Sequence, residues 1–204
     1  MTPPSTSPAI PIPVAVSARH VHLTQTTIER LFGEGHQLHS TKNLSQPHQF
    51  AAEDTVTLAG PAGSITHVRV LGPPRHEDQV EISRSDATQL GIDAHVRISG
   101  DLHDTPGATL LGPSGVVNLT QGVILAHRHI HMSSADAARF GVRDRDVVAV
   151  AINSEGRDLV FGDVVVRVSE DFCTELHLDT DEANAAGMEH GVTALLLPGG
   201  LQSP

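Results

Sequence analysis

Apolar residues recur along this chain in short alternating runs. Each run leads into a polar residue, then a brief stretch of helical spacing, then a glycine. Four segments share this plan: HVHLTQTTIERLFG (20–33), QVEISRSDATQLG (79–91), HIHMSSADAARFG (129–141) and ELHLDTDEANAAG (175–187). Ser83, Ser133 and Asp179 each stand eight residues before a glycine, at Gly91, Gly141 and Gly187. From Thr24 to Gly33 the interval is one longer. A capping residue that satisfies the first helical N–H groups, and a glycine that accepts a left-handed turn, bound a helix of one to two turns. Asp86, Asp136 and Glu182, three positions after their caps, have the spacing of a capping box. A second strand follows each unit, at His95–Ile98, Val147–Val150 and Val192–Leu197.

Helices this short cannot cover a wide parallel sheet. Many short, valine-rich strands separated by Gly and Pro turns predict a mainly β fold. We expect two small β-barrels capped by short α-helices and related by internal duplication. The Gly/Pro-punctuated stretch 101–121 reads as loops and strands at the junction of the halves. The prolines of MTPPSTSPAIPIP extend a disordered reading from residue 1 as far as residue 13.

Composition narrows the chemistry. The chain has 204 residues, 39 % apolar but only 2 % aromatic, with no Trp or Tyr. Its core must therefore rest on aliphatic side chains, and a nucleic-acid site built on base stacking is disfavoured. A formal charge of -11 disfavours binding to a phosphate backbone, so no nucleic-acid partner is expected. No apolar run approaches the roughly 20 residues of a spanning helix, and no membrane partner is expected. The start lacks the pattern of a secretory signal. With Cys173 the single cysteine, no intrachain disulfide is possible, which fits a cytoplasmic location. Cys173 itself reads as a buried apolar residue in a strand.

Histidine is over-represented, with 14 residues against 13 Lys and Arg together. Two positions before each cap stand His22, Glu81, His131 and His177; two further back in the first and third copies stand His20 and His129. Side chains two apart on a strand share a face, so each H-x-H pair can offer two nitrogens to one metal. Nitrogen with one carboxylate suits zinc better than magnesium. The duplication thus supplies two ligand sets: His20, His22 and Glu81, and His129, His131 and His177. Three protein ligands leave a position open, as in catalytic zinc sites. Arg75, six residues before Glu81, has the fork to hold a phosphate. His127 reads as a strand residue outside the ligand set, and Arg19 and Arg128 as structural. No nucleophile elbow, phosphate loop or dinucleotide fingerprint is present.

The segments SARHVHL, GPPRHEDQVEIS, RHIHMSSADA and HLDTDEANAAG resemble the signature segments of the PduL-type phosphotransacylases, or phosphate propanoyltransferases. The likeness runs from about Val14 to about Pro198. It implies two capped barrels with a two-zinc site between them. The first strand, within 9–18, would join residues 127–198 in one barrel; residues 19–126 would form the other, with 1–8 a disordered lead-in and 199–204 a tail. It further implies the two ligand sets above, Arg75 as the catalytic phosphate holder, and coenzyme A contacts from Ser17, Lys42, Arg69, Leu71, His177 and Asn184. The expected reaction converts a short-chain acyl-CoA, acetyl or propanoyl, plus phosphate reversibly to acyl phosphate plus CoA, by direct transfer. The resemblance also suggests a homodimer, and no encapsulation peptide is recognised in the lead-in. Two rivals use the same ligands: a zinc hydrolase of an ester, thioester or amide, and a non-catalytic metal-binding barrel module.

Overall fold

A computed structural model describes residues 10–189 and 191–197. The fold is mainly β, with fifteen strands and four short helices among the described residues. They form two compact units.

One unit gathers the described residues up to Val16, Arg128–Leu178 and those from Glu182 onward. Its strands are β1 (Pro11–Ser17), β11 (His129–Met132), β12 (Val147–Ile152), β13 (Leu159–Val168), β14 (Glu175–Asp179) and β15 (Thr193–Leu196). They close into a barrel in the order β1-β14-β11-β13-β12-β15. Alternation fills it: Ile12, Ile130, Val150, Ile152, Val164, Val166, Leu176 and Leu178 are buried together. β1 seals the barrel by pairing antiparallel with β15, Pro11 opposite Leu195 and Pro13 opposite Thr193. The disordered reading of residues 10–13 is thereby corrected. Ile12 is fully buried while Pro11 and Pro13 face outward, so the apolar side chain decides the conformation. Residues 1–9 and 198–204, where a lead-in and a tail were expected, lie outside the described residues.

The other unit holds Ser17–His127 and Asp179–Asp181. Its strands are β2 (His20–His22), β3 (Ser40–Asn43), β4 (Phe50–Ala59), β5 (Ser64–Gly72), β6 (Gln79–Glu81), β7 (His95–Arg97), β8 (Ala108–Leu111), β9 (Val116–Leu119) and β10 (Val123–Ala126). They pair in the order β7-β10-β6-β2-β5-β4-β8-β9, with β3 alongside β4. The two units share a plan. In one, β2 runs parallel to β5 and antiparallel to β6. In the other, β11 runs parallel to β13 and antiparallel to β14. They differ in closure. β12 gives Val150–Ile152 to β15, whereas the end of β4, Thr57–Ala59, is taken by the β8–β9 hairpin. That hairpin extends the sheet beyond β4, and the described pairings give one closed barrel and one nine-stranded sheet where two barrels were expected.

The helices follow the capping logic. They are α1 (Gln25–Phe32), α2 (Arg84–Leu90), α3 (Ser134–Phe140) and α4 (Thr180–Ala185). Thr24, Ser83 and Ser133 cap the first three through their side chains, and Gly91 and Gly141 end α2 and α3 in the left-handed region. A full capping box forms only at Ser83–Asp86. Asp136 instead accepts from the hydroxyls of Ser133 and Thr174, and Glu182 pairs with Arg128 at 2.8 Å. A nearby hydroxyl or guanidinium outcompetes the backbone N–H for those carboxylates.

Asp86 does double duty. Besides closing its box it receives Arg19, whose Nε lies 2.9 Å from both carboxylate oxygens. The pair ties the residue before β2 to the start of α2. Asp86→Ala should lower stability by about 1.5–3 kcal/mol. Arg19→Ala should cost less, because the arginine side chain is 42 % exposed and screened. Urea denaturation of both variants measures the order.

Candidate metal centres

In β2, Val21 points into the core and is fully buried. His20 and His22 therefore share the opposite face. β6 alternates in the same way around buried Val80, and the antiparallel register sets His20 opposite Glu81 and His22 opposite Gln79. The result is a convergence of His20, His22 and Glu81 whose donor atoms all lie within 4.8 Å of one another. All three residues are buried.

The same construction recurs in the barrel. Ile130 fills the core, and His129 sits opposite His177 on β14. His129, His131 and His177 bring their nitrogens equally close. The His129 and His177 rings stack at 4.9 Å, nearly parallel, and His131 lies edge-on to both.

The first set suits a zinc-sized ion. His20 Nε2 is 3.6 Å from Glu81 Oε2, and His22 Nε2 is 3.9 Å from Glu81 Oε1. These gaps exceed a hydrogen bond, and they approach the roughly 3.4 Å edge of a tetrahedron built on zinc bond lengths. Nδ1 of His20 lies 2.8 Å from the Ala18 carbonyl oxygen, which directs Nε2 into the site, and His22 likewise bonds the backbone at Leu71. A second hydrogen bond that fixes the ring is the usual support of a ligating histidine.

Charges tune the pair in opposite directions. Burial opposes charging His20, but the adjacent Glu81 carboxylate outweighs it and holds the pKa above the ordinary value. Burial, reinforced by the positive charges of His20 and Arg75, pushes His22 down to about 2. His22 is thus neutral, the form that coordinates a metal.

Gln79 belongs to this site, although it was not among the residues expected there. It is buried, and its Nε2 donates to Glu81 Oε1 at 2.6 Å and to Ser99 Oγ at 2.9 Å, while its Oε1 accepts from Gly100 N–H. Arg75 reaches the same hydroxyl at 3.4 Å, and its backbone N–H bonds the Leu23 carbonyl. The signal available was parity: Gln79 is two residues before Glu81 on the same strand.

The remaining expected contacts fall in two rows across the open sheet. Lys42 pairs with Ala51, Ala51 with Leu71, and Leu71 with His22. Arg69 lies opposite His20, and its guanidinium donates to the Ala52 and Glu53 carbonyls. Lys42 and Arg69 are exposed. Ser17 ends β1, and Asn184 is exposed on α4. His127 lies beyond the end of β10 and outside both donor sets. Arg19 and Arg128 make structural ion pairs. Cys173 is corrected from buried to exposed: it sits in the loop before β14, outside any strand.

Each β unit thus presents three converging donors from adjacent strands, a group that could hold a metal ion. The profile of the phosphate propanoyltransferase family matches residues 13–189, and the chain belongs to that family. It is 55 % identical to a phosphate propanoyltransferase of Thermotoga maritima over 87 % of this chain and 85 % of the relative. To that of Salmonella typhimurium it is 53 % identical over 88 % and 85 %, and to that of Shewanella putrefaciens 52 % over 91 % and 89 %.

The opposed shifts give a pH signature for the metal-stripped protein. Below pH 6.5 the unfolded chain protonates His22 while the folded protein does not, so stability falls with acid by up to about 1.4 kcal/mol per pH unit. Above 6.5 the folded protein still holds the His20 proton that the unfolded chain has lost, so that contribution fades as pH rises through the raised pKa. Urea titrations across pH 5–8 should show this, and His22→Gln should remove the acid-side loss.

Proposed function

We propose that this enzyme, a phosphate acyltransferase, converts a short-chain acyl-CoA, propanoyl or acetyl, and phosphate to acyl phosphate and CoA, with zinc held by the two donor sets. The observation that carries the reading is the His20–His22–Glu81 convergence on β2 and β6, in a chain that aligns over most of its length with proteins named for this transfer. His129, His131 and His177 would hold the second ion. Zinc, when bound, supplies the Lewis acidity that keeps a thiol deprotonated and neutralises phosphate charge near neutral pH.

The chain's own residues prepare the reaction. His20 and Glu81 lie opposite each other on paired strands, and Gln79 fixes the carboxylate. The positive charge of Arg75 reaches His20 and His22, close enough to attract a phosphate and orient it through a forked contact. Lys42, Arg69 and Leu71 extend in register from the first donor set, and with Ser17, His177 and Asn184 are the residues proposed to contact coenzyme A. Direct transfer between two positioned substrates requires no covalent enzyme intermediate. No helix among the described residues is long and apolar enough to cross a membrane. A cytoplasmic location accords with a CoA-dependent reaction.

His22→Ala should lose metal and at least about 100-fold in activity with the fold intact by circular dichroism. Full turnover in a demetallated His22→Ala protein would end the scheme. Thiol release from propanoyl-CoA should require phosphate; release at the same rate without phosphate would mark a hydrolase. Arg75→Ala should raise the KM for phosphate far more than that for acyl-CoA, read from initial rates.

A further inference from the structure

Beside each donor set a loop is tied down in the same way. The loop connects the strand parallel to the H-x-H strand with the strand that brings the third donor. In one unit it covers residues 73–78, between β5 and β6; in the barrel it covers 169–174, between β13 and β14. Both loops are pinned to the residue that follows the histidine pair. The Arg75 N–H donates to the Leu23 carbonyl at 2.9 Å, and the Ser169 N–H to the Met132 carbonyl at 3.1 Å. Both are fastened again by the side chain of their last residue. Asp78 accepts from the Thr24 N–H at 2.7 Å and from the Thr27 hydroxyl at 2.6 Å. Thr174 donates its hydroxyl to Asp136 at 2.6 Å. Thr27 and Asp136 are corresponding positions, each three after the cap of its helix. The carboxylate and the hydroxyl have changed places, and the tie is kept.

Each loop delivers a side chain to its donor set. The barrel loop lays Phe172 on His131, with ring centroids 4.1 Å apart. In the other loop, Pro73, Pro74, His76 and Glu77 are exposed, while Arg75 and Asp78 are half-buried. Arg75 NH1 reaches Ser99 Oγ, the hydroxyl that Gln79 also holds, and its charge is felt at His20 and His22. Thr24 lies two residues after His22, so Asp78 references the loop to the strand that carries the donors. An exposed loop without such a fastening would let a long arginine sample many positions.

We propose that Asp78 is a positioning residue for phosphate: by clamping the loop to the first turn of α1, it holds the Arg75 guanidinium beside the His20–His22–Glu81 set, where phosphate binds. Asp78 acts through Arg75 and touches neither substrate. A displacement of about 1 Å in a positioning group can cost about 100-fold in rate. The inference rests on the reading of Arg75 as the phosphate holder.

Initial rates with phosphate and propanoyl-CoA varied separately test it. Asp78→Ala should raise the KM for phosphate about 10-fold or more, with the KM for propanoyl-CoA and the metal content within about twofold of the parent. Asp78→Asn should recover most of the phosphate KM, because its oxygen still accepts from the Thr24 N–H and its amide can donate to the Thr27 hydroxyl. In an Arg75→Ala background, Asp78→Ala should raise the phosphate KM no further, since the two residues act as one unit. A merely structural role would lower the thermal midpoint and the yield of active enzyme while leaving the phosphate KM within about twofold of the parent, and that result would overturn the proposal. So would an equal rise in both KM values, or a further rise in the double variant. Should Asp78→Ala not fold, Thr27→Val removes one of the two bonds and should raise the phosphate KM about threefold; an unchanged value there would overturn the proposal too. Arg75→Ala with the parental KM for phosphate would instead sink the reading of Arg75, and this inference with it.

Discussion

Alternation along β2 and β11 forces a division of labour on each strand. Val21 and Ile130 are fully buried in the cores of their units, so the residues on either side of them must turn to the opposite face. In both strands those residues are histidines. The antiparallel neighbour is registered so that its own donor, Glu81 or His177, falls opposite the first histidine of the pair. Hydrophobic burial thereby sets the donor geometry: a slip of one residue would turn the imidazoles into the apolar cores and Val21 and Ile130 out of them. The backbone is committed by the core before any ion arrives, which is how preorganised donors are obtained without long side-chain networks.

Around that shared frame the two halves have diverged electrically. His22 has an aliphatic and an amide neighbour, whereas His131 has a guanidinium and a carboxylate. The third donor is an acid in one half and a base in the other. The first set therefore carries a negative charge of its own, whereas beside the second a carboxylate oxygen of Glu175 lies 3.1 Å from His177.

The donor sets were legible because the repeat put histidines at fixed offsets from caps that could be recognised, and strand parity did the rest. The caps themselves were legible for the same local reason. What could not be read involved partners distant in sequence. Arg19 with Asp86, and Arg128 with Glu182, are chosen by tertiary proximity, so the capping-box spacing at Glu182 misled. The open sheet was equally hidden: nothing in the β8–β9 sequence states that its hairpin will take the β4 edge. Cys173 was misplaced because the three loop residues 172–174 run straight into β14 and resemble its start. Gln79 shows a subtler limit. Its position was implied by parity, but a glutamine carries no expectation of function until its hydrogen bonds are seen.

The seam between β1 and β15 joins segments separated by nearly the whole of the other unit and most of the barrel's own strands. During synthesis the leading strand emerges long before its mate exists, and the barrel must wait with Ile12 unhoused. The intervening unit, by contrast, finds all its strand partners between β2 and β10 and can mature while the ribosome is still working. That sheet can thus fold before β15, the strand that seals the barrel, has emerged.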